Sequence, residues 1–217
     1  MASTIESSET YAETTFKKVD LRHKTIRGAV FSDCKFVRCD FSEAELHACR
    51  FLSCHFDDCT MKMMTVKDST FSRAHFAQCN LLGVDWTVGN WADMASKKTI
   101  MIFETCVLQY GIFFGLKLAK IKLKDCNAQE VNFSEADLTG GDFTGTDLTG
   151  ATFLRTNLTE ANFAEAKNYT LSLKDNTTKG AKFSLPEAMR LLYYMDIVLI
   201  DPDTNEEVEE NDLDKFI

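Results

Sequence analysis

Residues Ala136 to Phe163 read ADLTG GDFTG TDLTG ATFLR TNLTE ANF. Each block of five opens on a small residue and places a large apolar residue third. Extended in fives, the large position stays apolar for thirteen successive blocks, from Phe103 to Phe163. Upstream, two residues out of phase, sixteen successive blocks from Phe16 to Trp91 do the same. Apolar residues make up 45% of the chain, so chance does not produce either run. The small position holds Ala29, Cys34, Cys39, Ala44 and Cys49 in the first run, and Ala136, Gly141, Thr146 and Ala151 in the second.

A period of five belongs to neither regular element. A helix would wind its apolar stripe around the whole surface, and a strand would send alternate large residues to opposite faces. A chain that turns one corner per block keeps them all inside. An all-β solenoid is therefore expected, each coil resting on the next.

The chain has 217 residues and a formal charge of −9. That charge disfavours a basic nucleic-acid binder, so no direct nucleic-acid partner is expected. No run of 18 apolar residues is present, and no membrane partner is expected. The first ten residues lack the basic and apolar regions of a secretion signal, which points to the cytoplasm.

All eight cysteines fall in the small inward position. A free thiol there acts as a small buried hydrophobe. The C-x4-C spacing does not make a zinc clip. Stacking is expected within Cys34/Cys54, within Cys39/Cys59/Cys79 and within Cys106/Cys126. His55 and His75 should stack on one outer face below Lys35, with no carboxylate joining them. No Ser–His–Asp order, nucleophile elbow, HExxH or P-loop occurs. The reading is a protein without catalytic residues, metal or cofactor.

Residues 92–100 break the lattice. They are either a tolerated loop or a contact loop in which Trp91, Asp93, Met94, Lys97 and Lys98 meet a partner. After Phe163 the repeat decays. A helix is expected from Ser184, as N-cap with Glu187 in a capping box, to about Met195. A short strand, Ile197–Ile200, should follow. Together they either cap the last coil or pair with a second copy; pairing is the expectation, through Leu185, Met189, Leu191, Leu192, Tyr193, Tyr194, Met195, Ile197 and Leu199. Asp201 to Ile217 carries eight acids and one lysine and reads as a mobile tail.

Charge is uneven. Residues 125–166 hold eight acids and one base, whereas residues 1–124 hold seventeen bases and fourteen acids. Glu130, Glu135, Asp137, Asp142, Asp147 and Glu160 form the candidate acidic surface. If two chains join at their C-termini, that surface lies at the middle of a longer rod.

The layout resembles the pentapeptide repeat family over roughly residues 16–166. Narrower stretches are similar to its Qnr- and AlbG-like branch: FSEAEL at Phe41–Leu46, LLGVDWT at Leu81–Thr87, FSLPEA at Phe183–Ala188 and LLYYMDIVLID at Leu191–Asp201. The resemblance implies a right-handed quadrilateral β-helix of about seven coils with a short C-terminal helix and strand. The expected segments are 1–15, coils 16–91, the break 92–100, coils 101–182, helix and strand 183–200, and tail 201–217. It also implies a homodimer that binds DNA gyrase or topoisomerase IV. Such a protein protects its target from fluoroquinolones or albicidin by DNA mimicry. The alternative is a rigid scaffold for another cytosolic partner.

Overall fold

The computed structural model describes residues 4–91, 101–195, 197–208 and 212, with the side chains of Tyr193 and Tyr194 left aside. The chain is a quadrilateral parallel β-solenoid of about eight turns. Four pentads make a coil, and neighbouring coils pair in parallel with a 20-residue offset, as in Thr15↔Lys35 and Lys35↔His55. We call the four faces A to D. Face A carries Phe16 and Phe36, face B Leu21 and Phe41, face C Ile26 and Leu46, and face D Phe31 and Phe51.

Face A continues from Thr15 to Lys182 in nine rungs. The rod is thus one coil longer than the lattice alone suggests. The decayed stretch after Phe163 still coils, because Tyr169 and Leu171 fill the inward positions. Eight steps at a spacing of ~4.8 Å give a rod of roughly 38 Å.

Every large lattice residue from Phe16 to Trp86 and from Phe103 to Phe163 is buried. On face A the rings of Phe16, Phe36, Phe56, Phe76 and Phe103 stack at 5.0, 4.7, 4.8 and 4.9 Å between centroids. Face D repeats this with Phe31, Phe51 and Phe71, at 4.7 and 4.6 Å. The corner residue, two after the large one, has positive φ in coil after coil, for example His23, Glu43, Met63, Tyr110 and Glu130. That conformation makes the bend that five-residue spacing requires.

An Asp or Asn before the large residue replaces the three-residue strand by a turn. In eleven pentads its carboxylate or amide oxygen accepts the N–H two residues on. None of these pentads forms a three-residue strand. The side chain offers the backbone a turn in place of a ladder. Pentads with Lys35, His55, His75 or Arg50 in that position form three-residue strands instead.

The break preserves the coil. His75 pairs with Ile102 and Asn80 with Val107, offsets of 27 residues instead of 20. Seven extra residues are therefore accommodated between Trp91 on face D and Ile102 on face A, and the pairing stays in step. This joins two columns that the spacing had kept apart. Cys39, Cys59, Cys79, Cys106 and Cys126 form one ladder, and all eight thiols are free and buried. The thiol neighbours, and then burial, push Cys39, Cys79 and Cys126 up. Burial pushes Cys54 up to about 12.

The C-terminal segment differs from expectation. Glu187–Met195 is a 3-10 helix, and Leu185–Pro186 is a cis peptide. Three residues per turn put Ala188 and Leu191 on one face, so Leu191 is buried and Ala188 packs beside it on the core. Ser184 and Glu187 do not close a capping box. Ser184 Oγ accepts the Glu165 N–H at 3.1 Å, and Glu187 Oε1 accepts the Asn168 N–H at 2.7 Å. These donors belong to the last coil, which has no next coil to satisfy them. Ile197–Leu199 form no strand, and Ile200 makes a single antiparallel bridge to Glu207. Residues 201–208 are therefore not a free tail. They turn back so that Val208 N–H donates to Leu199 O at 2.9 Å.

Candidate functional site

Corner residues place the acids. Glu130 lies on the B–C corner, Glu135 on C–D and Glu160 on D–A, all exposed. Asp137, Asp142 and Asp147 lie on faces D, A and B and are partly buried. The six therefore wind around the rod and share no single face. Corner glycines make room for them. A Cβ on Gly150, at φ 67°, would stand 2.6 Å from the Glu130 carboxylate carbon. The Glu130 side chain thus lies along the corner over the next coil.

The three aspartates also hold their own turns. Asp137, Asp142 and Asp147 accept the hydroxyls of Thr139, Thr144 and Thr149, each at 2.6 Å. Burial opposes ionisation of Asp147. Hydrogen bonds from Thr149, Asn168 and Gln129 outweigh it and hold its carboxyl down at about 2. Asp142 follows the same balance, with Lys124 at 3.3 Å adding to its hydrogen bonds from Thr144. Glu135 pairs with Arg155.

At the break, Trp91 is half-buried against the core, and its indole N–H donates to Trp86 O at 2.6 Å. It anchors the base of the insertion instead of standing free. Asp93, Met94, Lys97 and Lys98 lie outside the described residues. His55 and His75 do stand one above the other on face A, their rings edge to face with centroids at 5.5 Å. Contrary to expectation, a carboxylate joins them: Glu104 Oε2 is 3.0 Å from His75 Nε2. The insertion brings Glu104 beside the coil of His75, which even spacing could not reveal. Among the described residues no cluster of three or more His, Cys, Asp or Glu could hold a metal ion. No described helix is long and apolar enough to cross a membrane.

At the C-terminal end Leu185, Met195, Ile197, Val198 and Ile200 are exposed. Met189, Leu192 and Leu199 are partly buried, and Leu191 faces the core. A further feature escaped the sequence reading. Met63, Val88, Tyr110, Ile112 and Phe114 stand exposed across face C, Met63 and Tyr110 on its B–C corner, Ile112 and Phe114 on the face and Val88 on its C–D corner. The signal was present: in VLQYGIFFG, Val107–Gly115, apolar residues occupy outward as well as inward positions.

Comparison with known proteins follows this geometry. A family model described as a pentapeptide repeat region matches residues 29–101, and one of pentapeptide repeats in eight copies matches 117–154 and 142–167. Together they span more than half of the chain. No curated protein matches in sequence. Among solved structures, a trypsin-treated variant of QnrB1, a plasmid-mediated fluoroquinolone resistance protein, is 18% identical with a TM-score of 0.52, covering 90% of this chain and 99% of that one. Full-length QnrB1 is 17% identical with a TM-score of 0.50, covering 87% and 100%. At this identity the likeness is one of fold.

Proposed function

Because the chain belongs to the pentapeptide repeat family, we propose that it is a non-catalytic binding protein that protects a type II topoisomerase, DNA gyrase or topoisomerase IV, from fluoroquinolones or albicidin. The observation that carries this reading is the ring of carboxylates around the C-terminal coils. Glu130, Glu135 and Glu160 occupy three different corners, and Asp137, Asp142 and Asp147 three different faces. Negative charge that circles a rigid rod imitates a duplex, whose phosphates also wind around its axis. A positively charged DNA channel would attract it electrostatically. The fold shared with the fluoroquinolone resistance protein QnrB1 adds support.

In this reading two chains pair through Leu185, Met195, Ile197, Val198 and Ile200, which extends the acidic rod. Their exposure supports pairing, since clustered apolar surface at the end of a solenoid calls for cover. The test is a gyrase supercoiling assay with ciprofloxacin or albicidin over a titration of the protein. Rescue at low ratio followed by inhibition at high ratio is expected. Failure to restore supercoiling at any ratio defeats the proposal. Light scattering on the same sample reads the dimer.

A further inference from the structure

Face C with its B–C corner carries the most exposed aromatic surface of the described rod. Tyr110 is 59% exposed, Phe114 44% and Met63 56%, with Val88 and Ile112 alongside. Three successive coils contribute. Met63 bends over Gly83, where a Cβ would meet its Sδ at 2.3 Å, and so reaches toward Tyr110 in the next coil. Tyr110 and Met63 also hold left-handed backbone, at φ 59° and 52°. Bulky side chains are costly in that conformation, and these two are exposed as well. Neither the core nor the coil-to-coil ladder needs an aromatic residue there.

The geometry limits what can cover this face. Backbone donors are already used: Tyr110 N–H donates to Gln129 O at 3.1 Å and Gly115 N–H to Ser134 O at 2.9 Å. A partner cannot add a strand here and must bring side chains. Three coils span about 10 Å, which matches two turns of an α-helix at a pitch of ~5.4 Å. The rim gives the sign of the charge. One coil up or down from the patch residues, the charged neighbours in the same columns are Glu43, Asp68, Asp85 and Glu130, with no base among them. Lys62 and Lys67 lie in the coil of Met63 itself and flank the patch on its N-terminal side, so the acidic rim surrounds the part built by Tyr110, Ile112 and Phe114.

We propose that face C between Tyr110 and Phe114 is a docking surface for an amphipathic helix of a protein partner, with apolar anchors at i, i+3 or i+4 and i+7 and basic flanks. The aromatic anchors fit the composition of interface hot spots. The carboxylate rim selects the basic flanks and disfavours a second copy of this chain, whose equivalent rim is also acidic. The surface shares Glu130 with the acidic ring, and its apolar anchors distinguish the two contacts.

The test uses the full chain and an 18-residue Leu/Lys amphipathic peptide, followed by calorimetry. A scrambled peptide of equal composition and a Leu/Glu peptide serve as controls. The native protein is expected to bind the Leu/Lys helix alone. Tyr110→Ser with Phe114→Ser leaves the net charge unchanged and is expected to weaken binding at least tenfold. Glu43→Lys with Asp68→Lys, a separate variant that leaves the acidic ring intact, is expected to weaken it as well. Thermal melts confirm that each variant folds. Equal binding by the serine variant, or equal binding of the scrambled peptide, overturns the proposal. So does self-association of the native chain that the serine variant abolishes. The same serine variant in the gyrase assay separates the two readings. If the native protein fails to protect gyrase, the protection reading falls while the peptide result still decides the docking surface.

Discussion

The coils before and after the insertion solve one geometric problem in two ways. From Thr10 to Ala77 most sides are three-residue strands, and stacked phenylalanines run up faces A and D. From Asn127 to Asn162 the sides are mostly single bridges, with an Asp or Asn turn on every face. The first half packs rings of neighbouring coils at 4.6–5.0 Å on two adjacent faces. The second keeps ring stacks, on faces A and C at 4.9 and 5.2 Å, and adds on every face side chains that hydrogen-bond their own backbone. This explains three of the acids of the second half. Asp137, Asp142 and Asp147 are turn residues first, and the negative ring is built from them together with the corner residues Glu130, Glu135 and Glu160. A carboxylate that shapes the rod is also held at a fixed place on it.

The strongest way to break this comparison is to remove one stacked ring. Phe56 lies 4.7 Å from Phe36 and 4.8 Å from Phe76. Phe56→Ala is expected to cost about 3–5 kcal/mol from the cavity. Each lost stacked pair adds about 0.5–1.5 kcal/mol. Leu138→Ala, in the second half, should cost less, toward the lower part of about 2–5 kcal/mol. Chemical denaturation of both variants measures the difference. Equal losses would mean that ring stacking does not distinguish the halves.

Much of this was legible because a strict period fixes which residues face inward. The lattice identified the buried large residues from Phe16 to Trp86 and from Phe103 to Phe163, and the slot shared by all eight cysteines. It did not show which coil lies on which across an insertion of unknown path. The Cys79–Cys106 step and the Glu104 contact to His75 were therefore hidden. Local rules also misled at the C-terminus. Ser184 and Glu187 satisfy a capping pattern, but donors left open by the last coil captured both side chains. The acids were readable as a count. Their winding around four faces follows only once the pentads are placed on corners.

A smaller effect sharpens the second half alone. Asp137→Ala removes three hydrogen bonds, from Thr139 N–H at 3.1 Å, Thr139 Oγ1 at 2.6 Å and Asn157 Nδ2 at 3.1 Å. The expected loss is about 1–2 kcal/mol, by the usual worth of bonds to a charged group. Asp137→Asn should recover most of it, since Asn157 makes the same turn one coil on. Denaturant midpoints for the pair test this. An asparagine variant as weak as the alanine one would place the effect in charge, not in the turn. Gly150→Ala should cost about 1–2 kcal/mol, because its left-handed backbone favours glycine. It also pushes the Glu130 carboxylate off the corner.

The smallest expected effect separates the turn from its charge. Asp147 titrates at about 2 in the folded chain, below the ordinary aspartate value of 3.8. A lowered folded value means that the unfolded chain takes up the proton first as the pH drops. The stabilisation from Asp147 is therefore fully present above about pH 4 and is lost as pH falls toward 2. Asp142 is lowered as well and acts in the same direction. Asp147→Asn keeps a side chain that can form the turn, as Asn127 does one coil earlier, but removes the titration. Melting temperatures from pH 6 to pH 2 should fall more gently for that variant than for the native chain. Parallel curves would show that Asp147 carries no pH-dependent stability. The acids of the second half would then contribute to folding through geometry alone, leaving their charge free for a partner.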